Sequence, residues 1–436
     1  MASSKITEEE LVARISEEIT DSLGYGDEIS IQREQAMEYY YGLPFGNEVE
    51  GRSQFVDSTV QDTIEWIKPS LMRVFASGDE MVKFSPHGPE DVEMAKQATD
   101  YVNYVFTKDN PGWEILYSWF TDALLSKNGI VKVWWEEYEE EEREEYRGLG
   151  DMELETLVSN PHVEVIEHSE YLEQDMPVHD VVIKRGSYDG RVKIENVPPS
   201  EFLISRDAKS IDEARFVCHR AKKTVSELRE MYPDDNFDIT DLGSGEDNVF
   251  TSEREARFDF DSSSSFMFGE SEMEEALRTY WLNESFLKTD FDGDGITELR
   301  KVCTVGDYVF ANDEIDSVPF VSLTPIKIPH KFFGLSVADL VIPLQLMKST
   351  LMRNLMDNMY NQNFGRYAVL EGQANLDDLL TQRPGGVVRV KSPNAVTPLV
   401  TPPLEPYSFQ MLEYLDGVRE SRAGVTRMSQ GMNENA

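Results

Sequence analysis

Along the first 125 residues apolar positions recur at helical spacing. Thr7 followed by Glu10 reads as a capping box, and Leu11, Ile15, Ile19 and Leu23 form one stripe that runs to Gly24. A second helix is expected from Ile29 to Tyr41, ended by Gly42-Leu43-Pro44. A third follows Ser53, with Val56, Val60, Ile64, Ile67 and Leu71 on one face and Pro69 inside the pattern. Glu90–Phe106 and Trp113–Leu125 are read as two more. Alternation then takes over, with strands at Ile130–Trp135, His162–His168, Val181–Lys184, Arg191–Val197 and Phe202–Ser205. The Tyr188-Asp189-Gly190 turn reads as a hairpin between two of them. Thr224–Met231 is a short helix, and Ala276–Leu282, Ile296–Val305 and Tyr308–Ala311 are strands of a small β-rich unit, Glu272–Phe320. Tyr367–Leu370 and Val387–Val390 also read as strands, the proline-rich stretch 393–406 as extended chain, and Leu404–Ala423 as a helix with Phe409, Leu412 and Leu415 inward.

The longest periodic stretch lies late in the chain. Ser336 is an N-cap with Asp339 three residues on, and Gly365 is a stop. The helix between, Val337 to Gln362, would reach about 39 Å. Leu344, Leu351, Leu355 and Met359 mark its apolar side, flanked by Met347, Met352 and Met356. Pro343 must kink it or sit in its true first turn. A second stripe, Thr350, Asn354, Asn358 and Asn361, carries no charge, although asparagine is a modest helix former. Two readings stand: a solvated helix back, or the wall of a wet, weakly interacting passage.

Charge narrows the choice of partners. Lys and Arg number 41 against 82 Asp and Glu, a net charge of −41, which argues against gripping a phosphate backbone, since that affinity comes from cations releasing counterions. The basic cluster His219-Arg220-Ala221-Lys222-Lys223 has neither interleaved aromatics nor a helix aimed at a groove, so it is read as a local partner for the acidic surplus. Glu136–Glu145 is read as a solvated projection. The Gly/Ser-containing stretch Asp234–Ser265 is the best linker, separating an N-terminal domain from the β-rich unit. Cys218 and Cys303 are too few for a disulfide framework and fit reduced thiols. No apolar run reaches membrane-spanning length, so no membrane partner is expected and a cytoplasm fits best.

Candidate chemistry is sparse. Asp290, Asp292 and Asp294 with Gly295 and Glu298 follow the first nine positions of a calcium loop, but Lys301 stands where the bidentate glutamate belongs and the flanks read as strands. The choice is a Ca2+ site on Asp290, Asp292 and Asp294, or a tight hairpin whose carboxylates make Asx-turns. The first would make the chain a calcium-dependent β-rich adhesion module. No phosphate-binding loop and no H-E-x-x-H is present, and His87, His162, His168, His179, His219 and His330 do not fall at metal-ligand spacing. Gly334-Leu335-Ser336-Val337-Ala338 is one glycine short of a nucleophile elbow and is read as a helix cap. No enzyme is expected, and no cofactor beyond the calcium possibility.

The run G-x-S-x-A-D…Q-x-x-K-S-T-x-x-R-N-x-x-D-N, Gly334 to Asn358, resembles the long stem helix of portal proteins, the head-to-tail connectors of short-tailed bacteriophages. Gly51-Arg52-Ser53, Val197–Phe202, Asp212–Phe216 and Pro384–Val387 follow in the expected order, and the likeness spans nearly the whole chain. It implies an α+β portal fold with a mixed wing (1–220 and 364–403), a first stem helix (221–233), a linker and β-rich clip (234–333), a second stem helix with channel loop (334–363) and a final helix (404–436). The usual C-terminal crown or barrel is expected to be missing or cut short. The same resemblance implies a ring, commonly a dodecamer, at one capsid vertex of the virion, assembled in the host cytoplasm. DNA would pass without sequence specificity along Thr350, Asn354, Asn358, Asn361 and Arg366. The clip, carrying Asp290, Asp292, Asp294, Glu298, Arg300 and Asp307, would dock the terminase large subunit and then a tail adaptor. Further contacts would go to the major capsid or scaffolding protein.

Overall fold

The computed structural model describes residues 6–426 apart from 77, 79, 160–162, 174–175, 234, 236, 243–274, 382–384 and 403–406. The first two expected helices are one, α1 (Glu8–Tyr41), which passes through Gly24 and Gly26. Glycine costs a helix interior about 1 kcal/mol relative to alanine, too little to break a rod held at both ends. Leu11 and Ile15 are buried with Phe216, Leu287 and Val302, and Ala36, Met37 and Tyr39 with Val60, Leu124 and Val341. The Thr7–Glu10 capping box opens α1, and left-handed Gly42 (φ 67°) closes it. α2 (Thr59–Ala76) starts later than its apolar pattern and carries Pro69 inside. α3 (Val92–Tyr104) and α4 (Gly112–Ser126) follow.

β1 (Gly129–Leu149), α5 (Asp151–Val158), β2 (Val163–Glu173) and β3 (Met176–Val197) come next. With β9 (Phe320–Leu323) the strands form a sheet in the order β2-β3-β1-β9. No hairpin forms at 188–190. β3 runs through it, with Tyr188, Asp189 and Gly190 opposite Glu139, Tyr138 and Glu137 of β1. The glycine serves packing instead of a turn: a Cβ on Gly190 would collide with the Trp135 indole, which lies across the strand. The acidic run is therefore an outer strand of a long three-stranded arm whose middle strand is β3, with Glu136 opposite Arg191 and Arg143 opposite Lys184.

β4 (Phe202–Ile204), β5 (Phe216–Thr224), α6 (Val225–Met231), β6 (Thr279–Thr289), β7 (Glu298–Val305) and β8 (Tyr308–Glu314) build a second sheet in strand order. β6 pairs along all of β5, from Phe216 opposite Leu287 to Thr224 opposite Thr279. The small β-rich unit thus shares its sheet with the preceding segment and is not free-standing. Most of the expected linker lies outside the described residues. Ile130, Phe202, Val217, Phe286, Phe320 and Phe332 fill the core that joins the two sheets.

The last third is dominated by α7 (Val337–Asn363), followed by β10 (Arg366–Val369), α8 (Leu376–Leu380), β11 (Val396–Leu399) and α9 (Tyr407–Ala423). Val387–Val390 is not a strand. Val390 makes only an isolated bridge to Ala374, and β10 pairs instead with β11 inside the proline-rich stretch. On α9 Leu415 is buried, but Phe409 is 60% exposed, contrary to the inward face expected for it.

Candidate channel helix and clip loops

α7 is seated by a complete Ser336–Asp339 capping box. Its first two turns bury Val337, Ala338 and Val341 against α1, α2 and α4. Pro343 is accommodated within the helix. Beyond it the inward face turns polar. Gln345, fully buried, accepts from the Val60 amide (2.8 Å) and donates to the Tyr39 carbonyl (2.9 Å). Ser349 Oγ, also buried, accepts from the Asp57 amide (3.0 Å). Arg353 donates to Phe55 O (2.7 Å), Asn47 Oδ1 (2.7 Å) and Glu48 Oε1 (2.5 Å). Asp357 Oδ1 accepts from the Ser53 amide (2.7 Å). These four positions recur every four residues, so they share one face and fasten the segment before α2 along the helix. Lys348 joins in, 3.4 Å from Asp57 and 3.0 Å from Asp416 of α9.

This face was missed by an apolar-only reading of the pattern. Leu355 is buried as expected, whereas Met347 and Met359 are exposed. The signal was present as the polar four-residue repeat Gln345, Ser349, Arg353, Asp357. Burial opposes ionisation of Glu48, yet the Phe45 amide and the Arg353 guanidinium outweigh it and hold the carboxyl below its ordinary range.

The uncharged stripe lies on other sides of α7. Thr350, Asn354 and Asn361 are exposed, and Thr350 Oγ1 folds back onto Leu346 O (2.9 Å). Asn358 is half-buried and faces Pro402 O at 3.4 Å. Arg366, also exposed, opens β10 just past the helix end.

The calcium-like loop joins β6 to β7. Carboxylate oxygens of Asp290, Asp292 and Asp294 lie within 4.8 Å of one another. Asp290 accepts from the Gly293 (2.8 Å) and Gly295 (3.0 Å) amides, Asp292 from Asp294 N (3.0 Å), and Asp294 from Ile296 N (2.6 Å). These are the Asx-turns of a tight hairpin. Glu298 binds Arg300 (3.0 Å), and Lys301, in the position of the bidentate ligand, binds Glu284 (3.0 Å). A cation here would draw on Asp290, Asp292 and Asp294 alone, with no contribution from the twelfth position. Arg300 also reaches Asn312 and stacks over Phe291. Asp307 is exposed at the β7–β8 turn.

The family model of the phage SU10 portal protein matches residues 11–436. This chain belongs to that family. It is therefore a bacteriophage portal protein, a head–tail connector of a structural family, whose members form an oligomeric ring at a capsid vertex with capsid and tail associations. The chain matches none of the curated proteins. Among the described residues no helix is long and apolar enough to cross a membrane.

The portal chain uses its basic cluster internally. His219 lies 3.8 Å from both Glu201 and Glu284, Arg220 donates to Asn283 (3.0 Å), and Lys223 pairs with Glu227 (3.4 Å). Lys132 of β1 binds the same Glu284, tying the two sheets together. Burial lowers the affinity of His219 for a proton, but the two carboxylates outweigh it and raise its pKa. Two histidines meet after all: His168 Nε2 and His179 Nδ1 are 3.0 Å apart across β2 and β3, a cross-strand neighbour that linear spacing conceals. His162 lies outside the described residues.

Proposed function

We propose that this portal chain forms a ring, twelve copies in the common portal arrangement, in which one α7 from each copy walls a channel. Double-stranded DNA crosses it during packaging and again during ejection, and Thr350, Asn354, Asn358 and Asn361 face it. The observation that carries this reading is the two-sidedness of α7. Gln345, Ser349, Arg353 and Asp357 are bound to the chain's own amides and carbonyls, while Thr350, Asn354 and Asn361 stay exposed and uncharged. Each cation set against a phosphate adds affinity and hence drag. A wall of hydroxyls and amides in a chain of net charge −41 lets a duplex slide. Arg366 contributes one cation per copy at the helix end.

The hairpin turns that carry Asp290, Asp292, Asp294, Glu298, Arg300 and Asp307 are proposed to dock the terminase large subunit, which supplies ATP hydrolysis, and then a tail adaptor. The capsid or scaffolding protein meets the ring elsewhere, during assembly in the host cytoplasm.

Asn354→Lys tests the channel. It adds one phosphate-binding cation per copy on an exposed position, so rings should form normally while DNA packaging slows, most at low salt. Unchanged packaging at every salt concentration would count against a DNA-facing stripe.

A further inference from the structure

The three-stranded arm carries a side-chain cluster that neither the channel nor the clip uses. β2 and β3 pair with His168 opposite Val181 and Glu170 opposite His179. Side chains two apart on a strand share a face, as do residues directly opposite one another. His168, Glu170 and His179 therefore stand on one face of one strand pair. Glu170 and His179 start from Cβ atoms about 5 Å apart, within reach of a common ion. The two histidines are already in contact, with His168 Nε2 3.0 Å from His179 Nδ1. Their ring centroids are 5.0 Å apart and the planes are inclined at 34°, so the rings meet by their nitrogen edges and do not stack.

In the neutral pair one ring supplies the N–H and the other the lone pair. A metal ion can replace that shared hydrogen once each ring carries its proton on the remote nitrogen, Nδ1 of His168 and Nε2 of His179. With metal–nitrogen bonds of about 2.0–2.1 Å, nitrogens 3.0 Å apart subtend about 95° at the ion. That is the cis angle of a square-planar or octahedral ion, and opening the pair by about 0.3 Å reaches the tetrahedral angle of zinc. His179 is 7% exposed and so held in place, whereas His168 is exposed and able to make that adjustment. β2 carries Glu164, Glu167, Glu170 and Glu173 and no lysine or arginine, a surrounding charge that favours a cation. Two imidazoles and a carboxylate suit zinc, copper or nickel, in contrast to the calcium or magnesium that an all-oxygen set such as Asp290, Asp292 and Asp294 would select.

We propose that His168, His179 and Glu170 bind one divalent transition-metal ion per chain, of the zinc or copper type, with water completing its shell. The ion ties β2, an outer strand of the arm, to the middle strand β3 close to where the first ends at Glu173 and the second begins at Met176. The site lies within a single chain, so it holds in monomer and ring alike.

The test titrates zinc sulfate by calorimetry at neutral pH into the full chain and into His168→Gln, Glu170→Gln and Asp292→Asn. His168, Glu170 and Asp292 are exposed, so each variant should keep the circular dichroism and melting of the chain. Loss of a partner behind a ligand already costs about 10–100-fold in metal affinity. The expected result is one zinc per chain, bound at least about tenfold more weakly by His168→Gln, more weakly also by Glu170→Gln, and equally by Asp292→Asn. Zinc should slow hydrogen exchange over 165–171 and 178–183 in the chain and not in His168→Gln. With Cu2+ as the probe, electron paramagnetic resonance should show coupling to two ring nitrogens, and to one in His168→Gln. No zinc uptake, or uptake equal in His168→Gln, would overturn the inference. Uptake lost in Asp292→Asn alone would place the ion in the β6–β7 loop and overturn it as well. Each of these results leaves the channel reading standing.

Discussion

Arg353→Ala removes the side chain on which the seating of α7 depends most. The guanidinium and the Glu48 carboxylate are each about nine-tenths buried, with side-chain exposures of 10% and 10%, and the arginine also holds Phe55 O and Asn47. Taking one partner from a buried ion pair costs about 3–5 kcal/mol. Glu48 keeps the Phe45 amide (2.9 Å), so a loss of about 3 kcal/mol is expected. A double-mutant cycle with Glu48→Gln, measured by urea unfolding of the monomer, should give a coupling of about 1.5–3 kcal/mol. The pH dependence has a definite sign. The folded pKa of Glu48 is depressed, so its stabilisation is complete above the unfolded value of about 4.3 and is lost as pH falls through the lower folded value. The gap between the chain and Arg353→Ala should therefore narrow in acid. A coupling below about 0.5 kcal/mol, or a gap that widens in acid, would refute the claim that this pair fastens the helix.

His219 gives the opposite sign: its raised pKa means stability present below about 6.5 and lost as pH rises through the folded value. Urea midpoints should fall over that range and stay flat in His219→Gln. Gly190→Ala should destabilise the β1–β3 arm by about 1–3 kcal/mol through overpacking, read as a shift in tryptophan emission and faster exchange in residues 186–193. Burial pushes the Cys218 thiol up to about 12 and raises Cys303 as well, so a thiol reagent should label neither until the chain unfolds.

Local signals survived the comparison with the structure better than distant ones. The Ser336 cap, the extent of α7, the Thr7 capping box and the β7 and β8 strands follow from residues within a few positions of each other and appear where the pattern puts them, whereas β6 spans Thr279–Thr289 and overlaps the expected Ala276–Leu282 only in part. Gly24 and Tyr188-Asp189-Gly190 are equally local signals, yet both misled. The first sits in a helix whose ends are buried in separate cores, and the second in a strand whose partner lies some fifty residues earlier. The polar seat of α7 was hidden for the same reason: Gln345 reaches Val60 and Tyr39 across 285 and 306 positions of sequence. Periodicity alone sorts such residues onto a wet face, and only the partner reveals that they are inside. Membership of the portal family, by contrast, was legible from the order of several weak motifs.

The most direct measurement is an electron cryomicroscopy map of the assembled protein. The account predicts an annulus with Thr350 and Asn354 of every copy turned to the central hole, and Arg353 turned away from it onto Glu48 of its own chain. A map in which Thr350 and Asn354 are packed between subunits or face the outer surface would contradict it.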